Sequence, residues 1–141
     1  MKKFILILCA TLICILANAQ TATYVAGMKP FIGEWKCEQG SVEMTLIFQK
    51  VSKTTVKVKY KAVNYEDGRP KSFYSSWDKM EYKNGKILLT KTETVNGRKL
   101  RYVETATIKN DELTLYYQSY EYTGSGYELK CENTIGVFHN W

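Results

Sequence analysis

The chain has 141 residues, which suits one domain, and its 20 Lys and Arg against 14 Asp and Glu give a formal charge of +6. Its hydrophobic fraction of 45% and charged fraction of 24% are typical of a folded domain and exclude wholesale disorder. A single His leaves few ways to build a metal enzyme or a His-dependent nucleophile. We therefore expect no metal, no cofactor and no catalytic residue.

Residues 1–19 have the three parts of a secretory signal peptide. Two lysines precede an apolar run that ends at Leu16, and residues 17–19 (Ala-Asn-Ala) supply the small side chains of a cleavage site. This pattern predicts cleavage before Gln20 and a protein that is secreted or periplasmic. A membrane anchor and a lipid attached to Cys14 are the alternatives. After cleavage we expect no transmembrane segment.

Residues 20–141 are predicted to form a single domain. Without the two lysines of the signal the chain keeps 18 basic and 14 acidic residues, so the charge falls to +4. That charge is modest, and together with export it argues against a nucleic-acid partner. Two cysteines remain, Cys37 and Cys131, and an oxidising compartment favours a disulfide between them.

Two-residue periodicity dominates this domain. Val56 and Val58, for example, alternate with Lys57 and Lys59, as in a strand with one buried face. Turn signals separate the alternating runs, among them residues 66–70, Asn84-Gly85, Asn96-Gly97 and Asn110-Asp111. A single helical turn is predicted near residues 28–32, and the fourth strand is expected to carry a bulge. The predicted strands are 34–39, 42–50, 55–65, 71–82, 86–94, 98–108, 112–122 and 127–137.

Eight strands with short connections indicate an antiparallel meander, and closing it into an up-and-down β-barrel removes its two edges. Trp35 and Cys37 have the same parity on the first predicted strand, and Leu129 and Cys131 share an apolar face on the last. This parity predicts a disulfide directed inward across the seam of the barrel. The predicted fold class is therefore all-β, an eight-stranded antiparallel barrel with a short N-terminal turn of helix.

The segment from Phe31 to Trp35 contains a Gly-x-Trp motif that opens the first strand. It resembles the signature of the calycin superfamily, which comprises lipocalins, fatty-acid-binding proteins and avidins. The resemblance implies a lipocalin-like barrel in which Gly33 and Trp35 are structural. The link at residues 39–41 is shorter than the corresponding lipocalin loop. Cys37 also stands where avidins have a ligand-bonding Asn, so biotin binding is not implied.

Glu104 is the most informative candidate for a binding site. It is in phase with the apolar residues of its strand, and a carboxylate on an inward face is costly unless it is paired or hydrated. It is expected either to anchor a hydroxyl or cationic group of a ligand or to be satisfied by water or a Tyr hydroxyl. The predicted ligand-binding residues are Val58, Tyr60, Leu89, Leu100, Tyr102, Glu104, Leu115, Tyr117 and Leu129.

Other polar and aromatic residues have simpler interpretations. The stripe Lys57, Lys59 and Lys61 reads as a solvated outer face, and no acid–base pair or nucleophile motif supports an enzyme. Tyr127 has inward parity. The tyrosines at 116, 120 and 122 have outward parity and form a plausible partner surface.

Two hypotheses follow. In the first, the protein is a non-enzymatic barrel that holds a small, largely apolar or aromatic ligand inside. In the alternative, it is an inhibitor or envelope component that binds a protein or glycan partner through the outer face or rim of a filled barrel. The filling of the interior discriminates between them.

Overall fold

The computed structural model describes residues 20–65, 71–75 and 77–140. The predicted signal peptide and the predicted turn at residues 66–70 lie outside these ranges. Within them, the one helix is not long and apolar enough to cross a membrane. The elements are β1 (Gln20–Thr23), a 3₁₀ helix (Ala26–Phe31), β2 (Gly33–Gln39), β3 (Val42–Lys50), β4 (Thr55–Asn64), β5 (Lys71–Ser75), β6 (Lys79–Lys83), β7 (Lys86–Val95), β8 (Arg98–Lys109), β9 (Glu112–Tyr122) and β10 (Tyr127–His139).

Two-residue turns join β6 through β9. The turn residues all have positive φ, between 51° and 77°, in Asn84-Gly85, Asn96-Gly97 and Asn110-Asp111. Primed turns require this backbone conformation, and their twist matches that of the flanking strands. The tight turns predicted at these three places are therefore confirmed. They fix the register of the hairpins that carry the candidate site.

The strands form one antiparallel, nearly closed barrel. Hydrogen-bonded neighbours follow the order β1-β4-β3-β2-β10-β9-β8-β7-β6, and β5 pairs with β4 beside this path. The two ends of the path, β1 and β6, contact each other. The predicted all-β antiparallel barrel is confirmed at this level, with nine strands along the path rather than eight.

Two details of the predicted strand list are wrong. The chain has an additional first strand, β1, which pairs with β4. The single strand predicted at 71–82 is two strands, because β5 pairs with β4 whereas β6 pairs with β7. Asp78 starts the second ladder, since its backbone N–H donates to the Thr90 carbonyl at 2.8 Å. Its carboxylate also accepts hydrogen bonds from the backbone N–H and the hydroxyl of Thr92. The chain therefore leaves the ladder with β4 and joins the ladder with β7 between β5 and β6.

One end of the barrel is filled by side chains. The 3₁₀ helix contributes Met28 and Phe31, and the Phe31 ring lies 5.9 Å from that of Phe48. Trp35 is 3% exposed, and its indole N–H donates to the Phe31 carbonyl at 2.8 Å. This helix takes the place of the turn predicted at 28–32. Fully buried residues complete the core, namely Leu46, Val56, Ile87, Leu89, Ala106, Leu113, Leu115 and Phe138.

The predicted disulfide between Cys37 and Cys131 is wrong. Both cysteines are free, with Cys37 buried and Cys131 exposed. β2 pairs with β10 only at Lys36 and His139, and the Cys37 sulfur lies against Gly136 of β10. Five residues of extended chain separate Gly136 from Cys131, which is about 16 Å. A disulfide needs Cα atoms within about 7 Å, so the register of β10 excludes this bond.

Candidate functional site inside the barrel

A row of residues on the interior face carries the carboxyl group predicted from the sequence. Leu89 of β7 lies opposite Glu104 of β8, which lies opposite Tyr117 of β9. Directly opposed residues share a face of the sheet. Leu89 is fully buried in the core, whereas Glu104 and Tyr117 are half-buried. Glu104 therefore lies at the boundary between the fully buried core and the more exposed part of the interior face.

The surroundings of Glu104 disfavour its charged form. Burial raises the pKa of this carboxyl from 4.5 to about 7, and a hydrogen bond with the Trp77 side chain lowers it by less. Desolvation penalises a carboxylate because water no longer solvates the charge. Near neutral pH two forms of the carboxyl group are thus both populated. The protonated form donates a hydrogen bond, and the anionic form only accepts one.

Trp77 and Tyr60 connect Glu104 to the opposite wall. The Trp77 indole is buried, and its ring meets that of Tyr60 edge to face at 6.3 Å. Burial raises the pKa of Tyr60 to about 12, with smaller contributions from the charges of Glu104 and Cys37. The phenol of Tyr60 therefore stays neutral. We call Tyr60, Trp77, Tyr102, Glu104 and Tyr117 the interior cluster.

The open side of the interior cluster is formed by two stacked rings. Tyr102 and Tyr117 lie 6.1 Å apart with an angle of 21° between their planes. The Tyr102 hydroxyl donates to Glu93 at 2.8 Å, and this hydrogen bond raises the pKa of Tyr102. Glu93 of β7 therefore fixes the position of the stack, which presents a flat aromatic surface beside Glu104.

Farther along the same face, an ion pair bridges β8 and β9. The Arg98 guanidinium donates two hydrogen bonds to the Glu121 carboxylate, both at 2.8 Å. This bidentate contact lowers the pKa of Glu121. The ends of these strands reach beyond the core, and the Arg98 side chain of this ion pair is mostly exposed to solvent.

The predicted ligand-binding residues fall into three groups. Val58, Leu89 and Leu115 are buried members of the core. The half-buried residues on the interior face are Tyr60, Leu100, Tyr102, Glu104 and Tyr117. Leu129 does not belong with them, because it is 42% exposed and opposite Tyr120 on the outer face.

Bulges in β10 explain the error at Leu129. Leu129 lies opposite Tyr120, and Cys131, two residues on, lies opposite Ser119, so one residue of β10 has no counterpart. Because of this inserted residue, the side chains before it lie on the opposite face from the one that alternation with Cys131 predicts. Tyr127, which also has inward parity in the sequence, is therefore on the outer face opposite Tyr122. Alternation alone does not show such an insertion.

Trp77 is the member of the interior cluster that the sequence analysis missed. Its only sequence signal is that it is out of phase with Met80 and Tyr82 in the predicted fourth strand. That phase break marks the crossing between β5 and β6. The chain there leaves one ladder before it joins the next, so Trp77 reaches into the barrel.

Three polar residues that could act as an acid or a base have partners in the structure. Glu81 forms an ion pair with Lys79 at 3.4 Å, and the Asp78 carboxylate accepts a hydrogen bond from the Thr92 hydroxyl at 3.1 Å. His139 lies 3.9 Å from Glu112 at the end of the sheet. In the described ranges no three His, Cys, Asp or Glu residues come together in a way that could hold a metal ion.

Comparison with protein families gives a match to part of this chain. Residues 1–69 match DUF6705, which is described as a family of unknown function. The matched part ends after β4, so it includes Tyr60 but none of the other residues of the interior cluster. No curated protein and no solved structure was found to match. The chain is therefore similar to DUF6705 over its first 69 residues, and the lipocalin resemblance is not confirmed by a relative.

Proposed function

We propose that this chain is an exported, non-enzymatic, lipocalin-like protein that holds a small, largely apolar ligand in the open half of its barrel. The ligand contacts the interior cluster, and no cofactor is involved. The proposal combines the signal-like segment at residues 1–19 with the chemistry of the interior face. Its site residues are Tyr60, Leu100, Tyr102, Glu104 and Tyr117, together with Trp77.

The observation that carries this proposal is the desolvated carboxyl of Glu104 among aromatic rings. Burial raises the pKa of Glu104 to about 7, and an interior carboxyl lowers the stability of a barrel when it is ionised. Binding sites often retain such costly groups, because a polar group in an apolar pocket orients a ligand. A purely structural position would be better filled by an apolar side chain.

The chemistry of the site defines the ligand class. The rings of Trp77, Tyr102 and Tyr117 favour a flat or aliphatic body. Glu104 favours one hydroxyl or one basic nitrogen on that body, because its carboxyl accepts a hydrogen bond in either protonation state. A ligand of this kind removes apolar surface from water and leaves no buried charge unpaired.

Native mass spectrometry of the protein purified from its own source tests the proposal. A small molecule that co-purifies and is released by denaturation is the expected result. The recombinant protein is then titrated with N-phenyl-1-naphthylamine, a neutral apolar probe whose fluorescence rises in a dry site. Saturable one-to-one binding that quenches tryptophan emission is expected.

Two variants make the fluorescence test specific. Tyr117→Ala removes half of the stacked pair and should weaken probe binding about tenfold or more, as expected for a large aromatic contact. Glu34→Gln is the matched control, because Glu34 is exposed on β2 and pairs only with Lys36 at 3.5 Å among its described contacts. A protein that carries no ligand from its source and does not bind the probe contradicts the proposal.

A further inference from the structure

The outer face of the long hairpins combines exposed rings with cations. We define the aromatic–cationic surface as Lys99, Arg101, Tyr120, Tyr122, Tyr127 and Leu129, from β8, β9 and β10. Tyr122 and Leu129 are each 42% exposed. These two are not isolated, because register places Leu129 opposite Tyr120 and Tyr127 opposite Tyr122. The surface therefore crosses three strands, a width of about 10 Å.

The cations of this surface are held on its rings. The Arg101 guanidinium carbon lies 3.9 Å from the centre of the Tyr127 ring, and the Lys99 ammonium lies 5.5 Å from that of Tyr122. Tyr122 and Tyr127 meet edge to face at 5.5 Å. Cation–π contacts position a charge without neutralising it. Both positive charges thus remain available to an anionic partner.

Arg101 also has unused hydrogen-bonding capacity. Its Nε is buried and has no hydrogen-bond partner among the described residues. A buried donor without a partner lowers stability, so its presence needs a reason. The guanidinium stacks on Tyr127 instead of pairing with a carboxylate, and none of the six residues of the surface is acidic. Asp78 and Glu81 line a shallow hollow beside Arg101. The part of the surface that is complementary to a negative charge is therefore the side of Lys99, Tyr122 and Tyr127.

A bulge in β10 creates this arrangement. Without the extra residue before Cys131, Tyr127 and Leu129 would keep the inward parity that the sequence predicts. The bulge instead turns both side chains outward, next to Tyr120 and Tyr122. An exported protein that exposes an apolar side chain and several rings on one sheet face risks aggregation. A binding role explains why this risk is tolerated.

We propose that the aromatic–cationic surface binds an acidic polysaccharide. The flat C–H faces of sugar rings pack on Tyr122, Tyr127 and Leu129, and the sugar carboxylates bind Lys99 and Arg101. Five of the six side chains end in a polar group. The surface therefore matches a hydrated polymer better than the apolar interior of a membrane. This function is separate from ligand binding in the interior and does not depend on it.

Calorimetric titration with polygalacturonate, an uronic-acid polymer, tests the proposal, and neutral dextran is the comparison polymer. Polygalacturonate should bind and dextran should not. Lys99→Gln combined with Arg101→Gln should lower the affinity at least about tenfold, and Tyr122→Ser should also lower it. Circular dichroism checks that each variant keeps its strands.

The matched control removes the same charge elsewhere. Lys57→Gln combined with Lys59→Gln takes two cations from β4, where the opposing residues, Gln49 and Ile47, carry no rings. This variant should bind polygalacturonate within about twofold of the parent protein. An equal loss in both double variants would show non-specific attraction and overturn the proposal. Binding of dextran, or binding of anionic phospholipid vesicles but not of the polymer, would also overturn it.

Discussion

The indole of Trp77 is hydrogen-bonded to the carboxyl group of Glu104 across the interior of the barrel. The Trp77 ring also meets the ring of Tyr60, so one buried side chain joins the carboxyl of β8 to the far wall at β4. A hydrogen bond to a carboxylate favours its charged form, whereas burial opposes that form. The balance of the two sets the pKa of Glu104.

Ionisation of Glu104 is expected to destabilise the fold. The folded protein keeps the Glu104 proton up to about pH 7, whereas an unfolded carboxyl releases it near its ordinary pKa of 4.5. Between these values the folded state binds more protons, so the free energy of unfolding falls as the pH rises. The loss is complete above the folded pKa and reaches at most about 3 kcal/mol.

Urea unfolding at about pH 5 and about pH 8 measures this loss. Glu104→Gln carries no titrating group at this position, so its free energy of unfolding should change less between the two pH values. Comparison with this variant cancels the contributions of all other groups. Equal pH dependence in the two proteins would contradict the pKa shift of Glu104.

Removal of the Trp77 hydrogen bond should raise the pKa of Glu104 further. In Trp77→Phe the carboxylate loses its donor, so the fall in stability should move to higher pH. Trp35→Phe is the control, because the Trp35 indole donates to the Phe31 carbonyl instead. That variant should be less stable than the parent protein but should keep the parent's pH dependence. The same shift in both variants would mean that Trp77 does not act on Glu104.

Gly136 is expected to tolerate no side chain. A Cβ at this position would lie 2.8 Å from the Cys37 sulfur and 3.3 Å from the Met44 methyl carbon. Gly136→Ala should therefore lower the free energy of unfolding by about 1–3 kcal/mol. Adding Cys37→Ala removes the sulfur, so the double variant should lose less than the sum of the single losses. Additive losses in urea unfolding would contradict this steric account.

The two thiols should react at different rates. Cys131 is exposed, whereas Cys37 is buried and its burial raises the pKa of its thiol. A chromogenic disulfide reagent should therefore modify one thiol quickly in the native protein and the second only in denaturant. Cys131→Ser should abolish the fast phase. Absence of a reactive thiol in denatured, unreduced protein would contradict the free state of the two cysteines.

Local alternation predicts much of this fold but not its long-range register. Val58, Leu89 and Leu115 are buried as their parity indicates, and Glu104 lies on the interior face with them. These positions lie in hairpins whose turns fix the pairing. The disulfide failed because parity gives the face of a cysteine and not its position along the neighbouring strand.

The remaining differences come from interactions that no local pattern encodes. β1 has a short and mostly polar sequence and exists because it pairs with β4, whose partner residues begin at Thr55. Trp77 enters the interior cluster because the chain changes ladders just before it. In β10 one inserted residue reversed the faces of Tyr127 and Leu129, so the outer surface could not be drawn from alternation.

The pairing of Lys36 with His139 has a consequence for the order of folding. This pair joins the start of the barrel to its last strand, whereas β6 through β9 are joined by two-residue turns. Contacts that are close in sequence form quickly, and closing a long loop costs chain entropy. The hairpins should thus assemble first as an open sheet that already contains Glu104 and Tyr117. Pairing of the C-terminal end of β10 with β2 then joins this sheet to the N-terminal strands, and contact between β1 and β6 closes the barrel.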